Sequence, residues 1–415
     1  MTLQVMKFGG TSVGSIEKIQ RVGSRIQKKK AAGYDVIVVV SAMGKTTDHL
    51  VDLAAGITVR PSKREMDMLL ATGEQQTMAL LAMYLINEGI EAVSMMGWQA
   101  GMVTEASHGN ARIADIKRES IQKQLNLGKV VIVAGFQGVT EDFEITTLGR
   151  GGSDTSAVAL AAAFKAELCE IYTDVEGVYT TDPRYVSKAR KLAELSYDEM
   201  LEMANLGAGV LHPRSVENAK KYKVPLVVRS SFNDEPGTII KEETSMETGL
   251  AVSGLAFEKE VTKITLLGLP NKIETLSNVF KVLAGAGVNV DIIIQNALDK
   301  ETTSISFTIA STHLADALDV LKTNQPILSY SDLNIESNLA KVSIIGSGMV
   351  SNPGVAADMF EVMSNIDVKI KMVSTSEIKV STVIPTSDLN KALEALHEAF
   401  HLDSPLVEPE LSSKA

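Results

Sequence analysis

The sequence predicts an α/β protein: a mainly parallel open sheet flanked by helices, followed by two smaller ferredoxin-like βαββαβ units. Three observations predict it. Apolar, strand-like runs alternate with helix-period segments from Leu3 to about Arg229. A polar, acidic stretch from Asn233 to Thr248, punctuated by Pro236-Gly237, then interrupts the pattern. Beyond it the chain repeats itself: Val261–Gly268 is echoed by Ala340–Gly346, Asn278–Leu283 by Asp358–Met363, and Val288–Ile293 by Ile366–Lys371. The helix-period segment Leu314–Lys322 has its counterpart in Asp388–Phe400. The resulting division is 1–245, 246–335 and 336–415.

In the first part the strand-like runs are Leu3–Phe8, Val36–Ser41, Ala92–Ser94, Val130–Ala134, Glu170–Thr173 and Pro225–Arg229. Helical periodicity covers Ile16–Lys30, Arg64–Asn87, Arg112–Asn126 and Asp154–Lys165. Near-continuous Val/Ile runs separated by helices indicate parallel strands buried on both faces. In such sheets the ligand site lies outside the carboxyl ends of the strands.

Composition narrows the function. At 415 residues the chain is long enough for two or three domains, and 45% hydrophobic with 22% charged residues is ordinary for a soluble protein. A net charge of −11 with no basic block longer than Lys28-Lys29-Lys30 argues against nucleic acid or an anionic membrane as partner. The single cysteine, Cys169, excludes an intrachain disulfide framework and a cysteine-based zinc site. With no signal segment and no bilayer-length apolar run, a cytoplasmic location is expected.

The chemistry-bearing stretches sit at strand ends. Lys7-Phe8-Gly9-Gly10-Thr11-Ser12 ends the first strand in two glycines before a helix, which is phosphate-cradle chemistry. It is not a Walker loop, since no G-x-x-x-x-G-K-[ST] occurs. An ordinary turn with a surface lysine fits the same residues. Ser41 to Asp48 follows the second strand with hydroxyls and a glycine, suited to a ligand or to helix capping by Thr47. Gly73-Glu74 places a costly glycine and an acid inside a helical pattern, marking close approach of a ligand or of backbone.

Leu148-Gly149-Arg150-Gly151-Gly152-Ser153-Asp154 is the most informative stretch. Arg150 between glycines is suited to a bidentate grip on a carboxylate or phosphate. Asp154 is a ligand-side acid or a helix cap. Thr173-Asp174 through Tyr179 to Arg184 combines acceptors, an aromatic and an arginine, a seat for a nucleoside or a plain capped loop. Leu211-His212-Pro213-Arg214 is a loop before a helix, with His212 read as structural.

Together these motifs, in this order along the whole chain, resemble aspartate kinases of the amino-acid kinase fold family. The resemblance implies ATP-dependent phosphorylation of the L-aspartate β-carboxylate, with Mg²⁺ carried by the nucleotide, as the first step towards lysine, threonine and methionine. It implies that Lys7 meets the transferred phosphoryl group and that Gly9 and Gly10 line the phosphates. Ser41, Thr47, Glu74, Arg150, Ser153 and Asp154 correspond to the aspartate side. Of these, Arg150 would hold a carboxylate, Glu74 the α-ammonium, and Asp154 would orient Lys7. Thr173, Asp174, Tyr179 and Arg184 would line the nucleotide. A nucleotide-contacting lysine that some relatives carry near Phe232 is lacking here. A carboxylate is already a nucleophile, so no histidine or cysteine dyad is expected. No protein ligand for a metal is predicted.

The repeated second half resembles tandem ACT domains, which sense amino acids. The resemblance implies a homo-oligomer, dimer or higher, and an end-product effector, lysine alone or with threonine, at the first strand-to-helix turn. The turn Ser351-Asn352-Pro353-Gly354 has the usual form, whereas Pro270-Asn271-Lys272-Ile273 lacks the glycine. Asp291, Gln295 and Asn296 are candidate partners of the effector ammonium, or solvated turn residues. Met246 sits where a separately made regulatory subunit can start. A catalytically silent amino-acid sensor on the same scaffold is the alternative, and intact Lys7, Glu74, Arg150 and Asp154 weigh against it. His397-Glu398-Ala399-Phe400-His401 matches the zincin pattern H-E-x-x-H, but in the last helix of a small repeat the context is wrong.

Overall fold

The computed structural model describes residues 2–207, 209–242, 251–297 and 300–404. The proposed boundary at 245/246, with Met246, lies outside the described residues. Compactness divides the chain into two units. The first takes the residues up to Tyr179, Lys191–Asn205 and the stretch 209–242. The second takes Thr180–Arg190, residues 206–207 and everything described from 251 onward.

The strands of the first unit begin with β1 (Leu3–Phe8), β2 (Asp35–Val40), β3 (Ala92–Met95), β4 (Met102–Thr104) and β5 (Ile113–Ile116). Next come β6 (Val130–Ala134), β7 (Gln137–Val139), β8 (Ile145–Thr147) and β9 (Leu168–Thr173). The last three are β10 (Glu194–Ser196), β11 (Leu226–Ser230) and β12 (Thr238–Lys241). Its helices are α1 (Ile16–Ala31), α2 (Thr46–Ile57), α3 (Lys63–Leu70), α4 (Thr72–Asn87) and α5 (Glu119–Asn126). They continue with α6 (Gly152–Ala163), α7 (Tyr197–Asn205) and α8 (Pro213–Tyr222).

Eight strands form the main sheet in the order β10-β12-β11-β9-β1-β2-β6-β3, parallel except for the β11–β12 pair. The Val/Ile runs of β1, β2 and β6 are buried along almost their whole length, as strands covered on both faces must be. Parallel pairing of β1 with β2 and β9 aligns their carboxyl ends, so the segments after Phe8, Val40 and Thr173 emerge on one edge. A second sheet, β5-β4-β7-β8, carries the chain into α6.

Two helical expectations need correction. The stretch Arg112–Asn126 is helical only from Glu119, because Ile113–Ile116 pairs antiparallel with β4 instead. The stretch Arg64–Asn87 is two helices. Its break at Ala71 is stabilised by the Gln137 side chain, which donates to the Ala71 carbonyl at 2.8 Å. Gly73 lies where an added Cβ would come within 2.9 Å of the Ala42 Cβ, a close approach of chain to chain. Thr47 is inside α2 and does not cap it.

The second unit contains β13 (Gly254–Pro270), α9 (Glu274–Gly285), β14 (Asp291–Ala297), β15 (Thr302–Ala310) and α10 (Leu314–Thr323). After α11 (Gln325–Leu328) come β16 (Asp332–Ile345), α12 (Val355–Asn365), β17 (Met372–Thr375), β18 (Lys379–Pro385) and α13 (Leu389–Ala399). One antiparallel sheet, β14-β15-β13-β16-β18-β17, serves both repeats. Its two central strands are long enough to be shared. Val261–Pro270 pairs with β15, while Gly254–Glu258 pairs with Lys341–Ile345. The second repeat therefore takes its last strand from residues preceding the first repeat. Left-handed backbone at Glu260 and Asn338 marks where each strand passes between repeats.

The excursion Thr180–Arg190 packs into this unit. Val186 joins the core of the second repeat with Leu255, Met359 and Leu393, and Tyr185 stands edge-on to Phe257 at 4.7 Å. The Thr180 carbonyl accepts from the Leu255 N–H at 2.6 Å, and its hydroxyl lies 2.9 Å from His397 Nε2.

Candidate active site

Lys7 reaches its position because β1 is central in the sheet. It is 8% exposed, and its Nζ lies 2.6 Å from the Asp154 carboxylate. Asp154 comes from the first turn of α6. Gly151, with φ +67°, occupies the cap position there, and the Asp154 side chain is spent on Lys7 rather than on the helix end. A buried pair of this kind stabilises only if the geometry is good, and it fixes an ammonium at the head of a helix.

One cavity of about 840 Å³ is lined by Lys7, Gly9, Gly10, Ser41, Thr47, Glu74, Arg150, Ser153 and Asp154. These predicted residues come from four separate stretches of the chain. The Gly9 N–H is already engaged by the Tyr172 carbonyl at 3.1 Å, so that amide holds the turn rather than facing a phosphate. Phe8 stacks on Tyr172 at 4.7 Å beneath it.

Glu74 is the electrostatic anomaly of the cavity. It is 3% exposed, and its Oε1 accepts from the Ala42 N–H at 3.1 Å, while Oε2 has no hydrogen-bond partner among the described residues. Burial pushes its carboxyl up to about 7, against the lowering effect of its own backbone N–H and that of Ala42. A buried carboxylate oxygen with no donor has capacity for a cation, which a ligand ammonium would use. Arg150 is exposed on the opposite loop, and no carboxylate pairs with it among the described residues.

Sequence reasoning missed the supports of this rim. Asp67 of α3 is fully buried and accepts from the Thr147 hydroxyl (2.5 Å), the Gly109 N–H (3.0 Å) and His108 Nδ1 (2.8 Å). An Asp67–His108 pair thus forms part of the cavity wall. Asp67 and His108 lie 41 residues apart, with nothing in the local pattern to link them. Arg214 was visible within a quoted motif, but its partners were not.

The proposed nucleotide residues are not gathered in this cavity. The Thr173 hydroxyl donates to the Asp174 carboxylate at 3.1 Å, and the Tyr179 hydroxyl to Glu176 at 3.3 Å. The Arg184 side chain is 84% exposed and pairs with Asp182 at 2.6 Å, on the excursion grouped with the second unit. Around Phe232, α1 supplies cations: Lys18 and Arg21 lie 5.3 and 5.8 Å from the ring centroid.

In the second unit Asp291 is ion-paired with Lys341, which also holds Glu258 at 2.8 Å. Asp291 is thus not a free acceptor for an effector ammonium. Gln295 donates to Thr303 at 3.3 Å, and Thr303 in turn donates to the Asn296 carbonyl at 2.9 Å. Asn271 directly follows β13, its N–H on the Glu301 carbonyl at 2.7 Å. Asn352 donates to the Gly348 carbonyl at 2.8 Å, just ahead of Pro353. The zincin-like pattern dissolves: α13 ends at Ala399, His401 has left-handed backbone, and His397 is 1% exposed on Thr180. Among the described residues no cluster of three metal-ligating side chains occurs. Nor is any described helix long and apolar enough to cross a membrane.

Residues 2–230 match the amino acid kinase family, and residues 264–325 and 342–400 match the ACT domain. The fold and the cavity thus define an amino acid kinase joined to an ACT regulatory region. The chain is 62% identical over 410 residues to the aspartokinase of Bacillus sp. strain MGA3, covering 99% of this chain and 100% of that one. Two solved structures share its fold. That of Escherichia coli aspartokinase III with aspartate and ADP (R-state) has a TM-score of 0.81 at 26% identity, covering 96% of this chain and 99% of that one. That of the same enzyme with lysine and aspartate (T-state) has a TM-score of 0.76 at 28% identity, covering 98% and 100%. The chain belongs to the aspartokinases, ACT-regulated aspartate kinases.

Proposed function

We propose that the cavity phosphorylates the β-carboxylate of L-aspartate with ATP, giving 4-phospho-L-aspartate, and that an end-product amino acid restrains it through the ACT repeats. The observation that carries this reading is the meeting of the unpartnered Glu74 oxygen, the unpaired Arg150 and the Lys7–Asp154 pair in one cavity. Glu74 takes the substrate α-ammonium and Arg150 a carboxylate, with Ser41, Thr47 and Ser153 supplying hydroxyls. Such a double grip leaves the β-carboxylate as the free nucleophile, presented towards Lys7. Lys7, oriented by Asp154, meets the negative charge that develops on the transferred phosphoryl group. No residue needs to abstract a proton, because the nucleophile is already an anion.

The chain's residues fit a nucleotide tail: a lysine, the Gly10 turn and the N-terminal end of α6 face the same space. Thr173, Asp174, Tyr179 and Arg184 are proposed to hold the rest of the nucleotide, with Arg184 first released from Asp182. Mg²⁺ is proposed to bind chiefly through phosphates and water. The aspartate and ADP bound to the E. coli relative support these substrates, and its lysine-bound form supports lysine as effector, alone or with threonine. Asn271, Gln295, Asn296, Asn352 and Pro353 remain the proposed effector contacts. Assembly through the ACT repeats, as a dimer or higher oligomer, and a cytoplasmic location complete the proposal.

The test is ADP formation with product trapping. L-Aspartate should drive ADP release and yield an acyl phosphate that hydroxylamine converts to a hydroxamate, and added lysine should suppress both. ADP release driven by glutamate or N-acetylglutamate instead would refute the substrate assignment.

A further inference from the structure

The loop Gly149-Arg150-Gly151 carries its guanidinium on left-handed backbone, with φ +76° at Gly149 and +67° at Gly151. Both glycines are hemmed in. An added Cβ would come within 2.9 Å of Asn110 Oδ1 at Gly149 and within 2.2 Å of the His212 Cβ at Gly151. The loop is therefore seated between the turn 108–111 and the first turn of α8.

Two charged side chains fasten that seat from opposite ends. Arg214 donates to the Leu148 carbonyl (2.8 Å), to the Ala111 carbonyl (2.5 Å) and to Asn110 Oδ1 (3.3 Å). Asp67 gathers the Thr147 hydroxyl, the Gly109 N–H and the His108 ring. Each thus ties the turn 108–111 to the strand end that launches Arg150, and the Ala111 N–H adds a bond to the Thr147 carbonyl at 2.9 Å. Neither side chain carries out any step of the proposed chemistry, yet Asp67 is fully buried and Arg214 half-buried to make these bonds. Burial lowers the Arg214 guanidinium from its usual range.

We infer that Asp67 and Arg214 are positioning residues for aspartate recognition, acting through Leu148 and Thr147 to hold Arg150 in its binding pose before substrate arrives. The inference rests on the reading of Arg150 as the clamp on the aspartate carboxylate. Without the brace, ordering the loop would be charged against aspartate binding, while the nucleotide side would be untouched.

Arg214→Lys and Asp67→Asn in the full-length enzyme test it. Each keeps bulk but cannot reproduce the bonds: lysine lacks the fork, and asparagine lacks the second acceptor oxygen. The expected result is a rise in KM for aspartate of roughly tenfold or more, with KM for ATP held within about twofold. A residue that merely stabilised the fold would lower the melting temperature without splitting the two KM values. If Asp67→Asn fails to fold, Thr147→Val removes one of its bonds and is read the same way. An unchanged aspartate KM in either arm, or equal rises in both KM values, overturns the inference. Arg150→Ala separates the two layers. If it leaves the aspartate KM unchanged, the clamp reading itself fails; if it raises that KM while the brace variants do not, only the positioning role fails.

Discussion

The residues proposed for aspartate and those proposed for the nucleotide meet different fates in this fold. Glu74, Ser153 and Asp154 stand on the first turns of α4 and α6, Arg150 on the loop before α6, and they line one cavity with Lys7. Thr173 ends β9, and Asp174, Tyr179 and Arg184 lie on the long path from β9 to β10, whose middle belongs to the second unit. Their polar groups are satisfied by near neighbours in sequence: Thr173 by Asp174, Tyr179 by Glu176, Arg184 by Asp182. The proposed aspartate-side residues are thus held by contacts across the fold, and the proposed nucleotide residues by their own sequence neighbours.

The largest effect should fall on the residues that line the cavity. Lys7→Ala is expected to lower kcat by roughly 10³-fold or more. Aspartate binding measured calorimetrically should persist, because Glu74 and Arg150 are intact. A kcat within about tenfold of wild type would remove Lys7 from the chemistry.

Glu74→Gln comes next, with an expected rise in aspartate KM of about 30–100-fold, the worth of one charge-assisted bond. It also carries a pH signature. The folded carboxyl sits near 7 against an ordinary 4.5, so the folded state holds more protons between those values. Stability from this group therefore falls as pH rises from about 4.5 to 7. The glutamine variant, free of ligand, should melt higher than wild type at pH 8 and lose that advantage at pH 4.5. The ceiling on this difference is of order 3 kcal/mol. Conversely, aspartate KM in the wild type should rise as pH falls below about 7 and stay flat in the variant.

On the nucleotide side smaller changes are expected. Arg184→Ala should raise KM for ATP by about threefold to tenfold and leave KM for aspartate alone, since the guanidinium must first leave Asp182. The smallest effect concerns the tether. Burial holds His397 below its ordinary 6.5, so the unfolded chain takes up the proton first. Stability contributed by this group is complete above 6.5 and is lost as pH falls below it. His397→Gln should flatten that acid limb in a thermal melt by a few degrees at most, and an identical pH profile would show that the Thr180–His397 contact contributes nothing.

Much of this was legible in the chain. Val/Ile runs such as Val36–Val40 can only be strands buried on both faces, and the glycines after Phe8 and Ala134 mark where those strands open onto a ligand edge. The repeat in the second half was plain from its spacing. What the sequence hid is what depends on partners far away. Ile113–Ile116 reads as helix until β4 is beside it, and Gly254–Glu258 completes a repeat that begins some eighty residues later. Asp67 carried no signal in the sequence, because its donors, Thr147 and the turn at Gly109, are distant along the chain. Asp291 looked free because nothing local pointed to Lys341.

The claim that Glu74 receives the substrate ammonium is open to one direct measurement: calorimetric titration of L-aspartate near pH 7 in buffers of different ionisation enthalpy. A carboxyl that titrates near 7 when empty must ionise to meet the ammonium, so binding should release about half a proton at that pH. The release should vanish in Glu74→Gln. Aspartate binding with no proton release, or with the same release in the glutamine variant, would contradict the assignment of this cavity.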